Sequence, residues 1–248
     1  MEPTEGVRPR APLRTDAKPH SSGSIQAVDP TPERFRRLAR SAPYRWSALV
    51  LEGTWGPRDQ PSRTFVIRPD WARVERLDGT PVHEGRQGSL GAGPLLPGPE
   101  GWHAPAIPAL VPPPELDADG LVAAARRPWQ DGPEVPFWQD YRCVAVLDPY
   151  ELSEGVDVLE VAAVDHRGRP AWQALLRPGP DYEPRCACCP LLRSRASDLM
   201  EGLEPLSAYA DAHRVRLDTA TGVCVRARED GGPSDGQGHD LAIVQAVP

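Results

Sequence analysis

The sequence predicts a mainly β (α+β) fold: one highly curved antiparallel sheet, a half-barrel, with a few short covering helices and a Pro/Gly-rich flap. Three observations predict it. Proline supplies 31 of the 248 residues, against about 5% in an average protein, and such density excludes long uninterrupted helices. Short apolar runs rich in branched and aromatic residues recur along the chain, each stopped by Gly, Pro or Asp. The connections between successive runs are tight, and tight connections join antiparallel strands, because parallel pairs need long crossovers.

Residues 1–28 are rich in Pro, Arg, Ser and Gly, and the composition predicts a disordered tail. Residues 29–248 then form a single half-barrel-like domain. Thr31 suits an N-cap, Pro32 the first helical position and Glu33 the positive end of the helix dipole. Phe35 and Leu38 mark the apolar face of a helix over 32–41. Strand signals follow at Tyr44–Trp55, Arg63–Arg68 and Trp71–Leu77. Asp78-Gly79 is a hairpin turn, and Val82 begins the return. A flap spans 88–114; a tract this long without regular structure suits a covering or binding segment. Glu115–Ala125 reads as a short helix and Pro128–Pro136 as a turn-rich link.

The pattern then resumes. Tyr141–Leu147 reads as a strand, Asp148–Leu152 as one helical turn, and Val156–Asp165 with Ala171–Arg177 as a hairpin closed by Arg167-Gly168. A helix is expected over Leu191–Met200, ending at Gly202. His213–Asp218, Gly222–Arg228 and Asp240–Val247 complete about nine strands. The Glu229–Gly238 connection reads as a mobile loop.

Charge and composition exclude several classes. The formal net charge is −7, and no Lys/Arg-dense stripe runs along the chain, which argues against nucleic-acid binding. Lys18 is the lone lysine; the arginine excess matches the Ala, Gly and Pro excess of a compositional bias rather than a selected anion site. Met1–Leu13 lacks the apolar run of a secretory signal. No stretch approaches the roughly eighteen apolar residues of a membrane helix. The expected compartment is cytoplasmic, where thiols stay reduced.

The run Arg68-Pro69-Asp70-Trp71-Ala72-Arg73-Val74-Glu75 leads to Asp78-Gly79, after an opening helix and a first strand carrying a Trp. Over residues 31–85 this order resembles the bacterial lipoprotein-carrier half-barrels (the LolA-like fold). The remainder, with Trp172 and the Glu183–Leu192 segment, is similar to proteins of actinobacterial type. The carrier resemblance implies a concave face that holds acyl chains beneath a helical lid. Those carriers are exported and carry no cysteine cluster at this place, so the chain departs from their pattern twice.

Two functional readings stand side by side. In the first, a non-enzymatic protein holds an apolar small molecule or a protein partner in the concavity, with Trp46, Trp55, Trp71 and Trp172 lining it. In the second, the thiols do the work. Cys186, Cys188 and Cys189 lie within four residues, and the C-x-x-C spacing of Cys186 and Cys189 lets two thiolates reach one zinc or copper(I) ion. Alternation along Val223–Arg228 turns Cys224 to the face of Arg226 and Arg228, which makes it the preferred distant ligand. Cys143, His166 and His213 are further candidates. A dithiol redox role or a structural clip uses the same cluster. His166, His213 and His239 read as solvated turn or strand-end residues. No nucleophile elbow, phosphate loop or dinucleotide glycine run is present.

Overall fold

The computed structural model describes residues 29–55, 60–68, 71–86, 114–124 and 141–248. The tail at 1–28, the link at 128–136 and all of the 88–114 flap except Pro114 lie outside them. The strands are β1 (Ala48–Thr54), β2 (Ser62–Ile67), β3 (Trp71–Arg76), β4 (Pro81–Arg86), β5 (Val156–His166), β6 (Arg169–Pro178), β7 (Ala212–Asp218), β8 (Cys224–Asp230) and β9 (Gly238–Val247). They form one antiparallel sheet in the order β4-β3-β2-β1-β9-β8-β7-β6-β5, which does not close. The helices are α1 (Pro32–Ser41), α2 (Tyr141–Leu147) and α3 (Arg195–Met200), with single 3-10 turns at Ala42–Tyr44 and Tyr150–Leu152.

β9 joins two meanders. Gly238–Asp240 pair with β8, whereas Asp240–Val247 pair with β1. The sheet bends where the two registers meet. There Gly53 and Gly238 adopt φ of +146° and +141°. A Cβ on Gly238 would collide with the Ala227 carbonyl oxygen, and one on Gly53 with that of Asp240. Glycine is what lets three backbones approach this closely. A bulge between Val50 and Leu51 adds to the twist. The long β5–β6 hairpin then curls back across the sheet. At its tip His166 Nε2 lies 2.8 Å from the Leu241 carbonyl oxygen, although β5 and β9 are four strands apart in the order.

One face of this bent sheet is packed. Leu49, Leu51, Val66, Val215, Leu217, Ala174, Leu176, Leu241 and Ile243 point into a common core with Phe35 and Leu38 of α1, Val144, Val146 and Leu147 of α2, and Leu152. α1 forms where the sequence predicts it. The Thr31 hydroxyl accepts from the Arg34 N–H at 3.2 Å, and Pro32 opens the helix.

Several elements differ from the sequence reading. Tyr141–Leu147 is a helix, not a strand. Residues 143–147 are all buried, so the segment shows no polar face, and a fully apolar run has no periodicity to separate helix from strand. Residues 114–124 form a turn, not a helix. The Asp117 carboxylate accepts from the Asp119 and Leu121 N–H groups at 2.9 Å each, and Leu116 bridges Val122. Arg34 and Arg37 of α1 pair with Asp119 and Asp117 at 2.9 and 2.8 Å and tie this turn to the helix. The predicted Leu191–Met200 helix begins only at Arg195, after a Ser194–Ser197 capping box. The Glu229–Gly238 connection is a hydrogen-bonded turn: Gly236 N–H donates to Glu229 O, and Gly231 N–H to the Asp235 carboxylate.

Phe35 is fully buried at the centre of α1. Phe35→Ala is expected to lower the unfolding free energy by about 3–5 kcal/mol, read as a fall in the urea midpoint at unchanged slope.

Candidate functional site

The 3-10 turn at Tyr150–Leu152 buries Glu151 beneath the cysteine segment. Its carboxylate accepts three hydrogen bonds: from the Tyr182 hydroxyl at 2.5 Å, the Arg185 N–H at 2.8 Å and the Leu191 N–H at 2.8 Å. Two of these donors flank the cysteines on either side. A single buried carboxylate thus pins both ends of the 186–190 loop. Burial pushes the Glu151 carboxyl pKa up, and the three donors oppose that. Alongside, Arg185 Nη1 reaches the fully buried Asp148 carboxylate at 2.6 Å.

Within the pinned loop the thiols converge. Cys186 and Cys188 have their sulfurs 2.6 Å apart, and Cys188 and Cys189 theirs 3.5 Å apart. All three Sγ atoms lie within 4.8 Å of one another. A turn from the Cys189 N–H to the Cys186 carbonyl at 3.2 Å holds the loop in this shape. Cys188 is exposed, Cys186 half-buried and Cys189 buried. Burial raises the Cys188 thiol pKa, and the neighbouring Cys186 adds to the effect.

Cys188 and Cys189 border a cleft of about 370 Å³ between the loop and the β7–β8–β9 rim, whose walls also include Trp55, His213, Glu229 and His239. His213 and Glu229 face each other across the β7–β8 pair. The His213 ring is only 2% exposed, and its Nε2 has no hydrogen-bond partner. Burial pulls the His213 pKa down to about 4, opposed by a hydrogen bond to the Arg193 carbonyl. The imidazole is therefore neutral near pH 7, with a free lone pair on the wall of the cleft. His239 is also buried and its pKa likewise falls to about 4, but its Nε2 is occupied, 3.0 Å from the Cys224 carbonyl oxygen.

The expected residues are thus brought together in part. Cys186, Cys188 and Cys189 form one group. Cys224 is not in it: it is fully buried in the core beside His239, 3.7 Å from that ring, and burial drives its pKa up. The register explains the misreading. Arg216 pairs with Arg226 but Leu217 pairs with Cys224, so a bulge between them breaks the alternation and turns Cys224 inward. Cys143 is a core residue of α2. His166, His213 and His239 are all buried rather than solvated, because the curled hairpin and the cysteine loop cover positions that a flat sheet would expose.

Of the tryptophans, Trp46, Trp55 and Trp172 are buried in the core, and Trp46 and Trp55 flank β1 rather than lying in it. Trp71 lies on β3 opposite Ile67, on the other face of the sheet from buried Ala72 and Val74. Among the described tryptophans, only Trp55 lines the cleft. Sequence reading passed over Glu151 and Glu229. An isolated acidic residue within Tyr-Glu-Leu carries a weak signal, namely charge inside an apolar turn.

No protein-family model matches this chain, and no curated protein or solved structure matches it significantly. The class that the structure defines is an open nine-strand antiparallel sheet bearing a trithiol loop at one rim. Among the described residues, no helix is long and apolar enough to cross a membrane.

Glu151→Gln leaves one of the three donors facing an amide group; it is expected to destabilise the protein by about 1–3 kcal/mol and to speed the labelling of Cys189 by a thiol reagent, followed by mass spectrometry. His239 binds its proton in the unfolded chain near 6.5 but in the folded chain only near 4. Between these values the unfolded state holds more protons, so stability rises with pH through the window and is lost on acidification. The shift corresponds to about 3 kcal/mol. Urea midpoints taken from pH 7 to pH 4 are expected to fall less steeply in His239→Gln than in the parent chain.

Proposed function

We propose that this chain binds a soft d10 metal ion through Cys186, Cys188 and Cys189. The observation that carries this reading is the convergence of three sulfurs within 4.8 Å on a loop fixed at both ends. Thiolates at about 2.3 Å from a common ion would sit under 4 Å from one another, and modest rotation about the Cys side chains reaches that arrangement. Copper(I) is satisfied by two or three thiolates. Zinc needs a fourth donor, and the unpartnered Nε2 of His213 is available on the wall of the same cleft. His213 lies outside the 4.8 Å group, so zinc would draw the exposed thiols inward.

The alternative of an apolar ligand in the sheet's hollow has less support. Phe35, Leu38, Trp46 and Trp172 already fill that face with the chain's own side chains. A dithiol redox role draws support from the contact between the Cys186 and Cys188 sulfurs. An intact-mass loss of two hydrogens under mild oxidation, mapped to these two residues, would favour it.

Reduced protein prepared without oxygen is expected to take up a single equivalent of zinc or copper(I). Cys188→Ser with Cys189→Ser is expected to abolish uptake, as measured by elemental analysis after desalting. His213→Ala is expected to weaken zinc by roughly tenfold or more while leaving copper(I) little changed. Uptake that survives loss of the thiols, or no submicromolar binding of either ion, would sink the reading.

A further inference from the structure

The face of the sheet turned away from the core carries a second chemistry. β7 and β8 each place two arginines on it at alternate positions. Their register sets Arg214 directly opposite Arg228 and Arg216 directly opposite Arg226. Directly opposed side chains on paired strands stand about 5 Å apart, and like charges there are destabilising. Alternate positions along a strand are about 7 Å apart. Four arginine positions are thus gathered into a compact rectangle on one face, in a chain whose net charge is −7.

Protein carboxylates neutralise this face only in part. Asp230 takes Arg214, through Nε at 2.9 Å and through Nη2 at 2.5 Å. Asp240 is shared. Arg167, from the curled β5–β6 tip, binds it at 2.7 Å, Arg228 lies at 3.4 Å, and Arg226 reaches it only at 3.8 Å. Among the described residues Arg216 has no carboxylate: it donates to the Gln173 side chain at 2.8 Å and contacts the His166 ring at 3.3 Å. Four guanidiniums therefore share two carboxylates, and Arg216 pairs with neither. The Nε atoms of Arg226 and Arg228 are shielded from water yet have no hydrogen-bond partner. The side chains as a whole still face solvent, at 25% and 38% exposure. Among the described residues neither Nε makes a hydrogen bond, although Arg226 Nε lies 3.8 Å from the Asp240 carboxylate.

We infer that Arg214, Arg216, Arg226 and Arg228 form a binding site for a doubly charged tetrahedral oxyanion, the phosphate group. The planar fork of each guanidinium matches the oxygens of such an anion and offers parallel N–H donors to them. An anion over the rectangle would relieve two opposed like-charge pairs at once. A monovalent carboxylate on a small molecule would neutralise half as much of the face's charge as a dianion does. Arg228 also lines the thiol cleft, but none of the four donors coordinates through sulfur, and the inference stands whether or not the metal reading does.

The test is calorimetric titration of the parent protein with inorganic phosphate and with phenyl phosphate at low ionic strength, using acetate and chloride as controls. Saturable submillimolar binding of phosphate or its ester is expected, with no comparable binding of acetate. Tighter binding of phenyl phosphate assigns the site to a phosphomonoester, and tighter binding of inorganic phosphate to the free ion; both support the inference. Arg226→Gln with Arg228→Gln is expected to weaken binding by roughly tenfold or more, and to raise the melting temperature in phosphate-free buffer because the repulsion is gone. If the parent chain shows no saturable phosphate binding, the inference is wrong. It is equally wrong if chloride at matched ionic strength stabilises the protein as much as phosphate does, or if the double variant binds as the parent does. Should the double variant fail to fold, Arg216→Gln in the same titration replaces it, and unchanged binding there also overturns the inference. Preferential binding of an acidic peptide over both phosphates would assign the face to a protein partner and reject the oxyanion site.

Discussion

The buried carboxylate of Glu151 is the constraint on which the thiol loop depends. A carboxylate without water must find donors, and this one finds Tyr182, Arg185 and Leu191. The arrangement is reciprocal. The Tyr182 oxygen accepts in turn from the Leu192 N–H at 3.2 Å, so the far side of the loop is held twice. Asp148, a few residues earlier, anchors Arg185. One short 3-10 turn therefore positions a loop that has little regular structure of its own. Without those acceptors, the backbone donors at Arg185 and Leu191 would seek water, and the three sulfurs would lose their fixed relation.

A second constraint is the bend at β9. Two four-stranded meanders meet along a strand that pairs with β8 over Gly238–Asp240 and with β1 from Asp240 onward. Close backbone approach there requires Gly53 and Gly238. The bend has two consequences on opposite faces. On the packed side it brings His239, Glu229 and His213 to the rim beneath the cysteine loop and so opens the cleft. On the other side it brings Asp240 beside the arginines of β7 and β8, and the curled hairpin delivers Arg167 to the same carboxylate. The thiol cleft and the arginine face thus depend on one feature of the sheet.

The core accounts for the absence of a strong case for a carried apolar ligand. The carrier resemblance over residues 31–85 implies a concave face that holds acyl chains under a helical lid. The side of the sheet that would form such a hollow is instead filled by α1, α2 and three tryptophans. Tryptophan indoles are bulky enough to fill the space a lipid chain would take. The convergent sulfurs and the His213 Nε2 without a hydrogen-bond partner lie instead at the rim.

The sequence by itself determined the local grammar. Thr31-Pro32 started α1, Asp78-Gly79 and Arg167-Gly168 closed hairpins, and short apolar runs became strands of one antiparallel sheet. Each of these rests on interactions between near neighbours, which a linear reading contains. The crowding of Cys186, Cys188 and Cys189 was equally legible, because three thiols within four residues cannot be far apart. The helix at Tyr141–Leu147 was not legible, since burial on all sides erases periodicity. Cys224 turned inward through a bulge that depends on its partner strand. No Lys/Arg-dense stripe exists along the chain, yet strand register assembles four arginines into one face. The His213 Nε2 became a buried lone pair without a hydrogen-bond partner only because a distant loop covers it. Register, bulges and burial are set by contacts between residues far apart in the chain, and only the tertiary structure decides them.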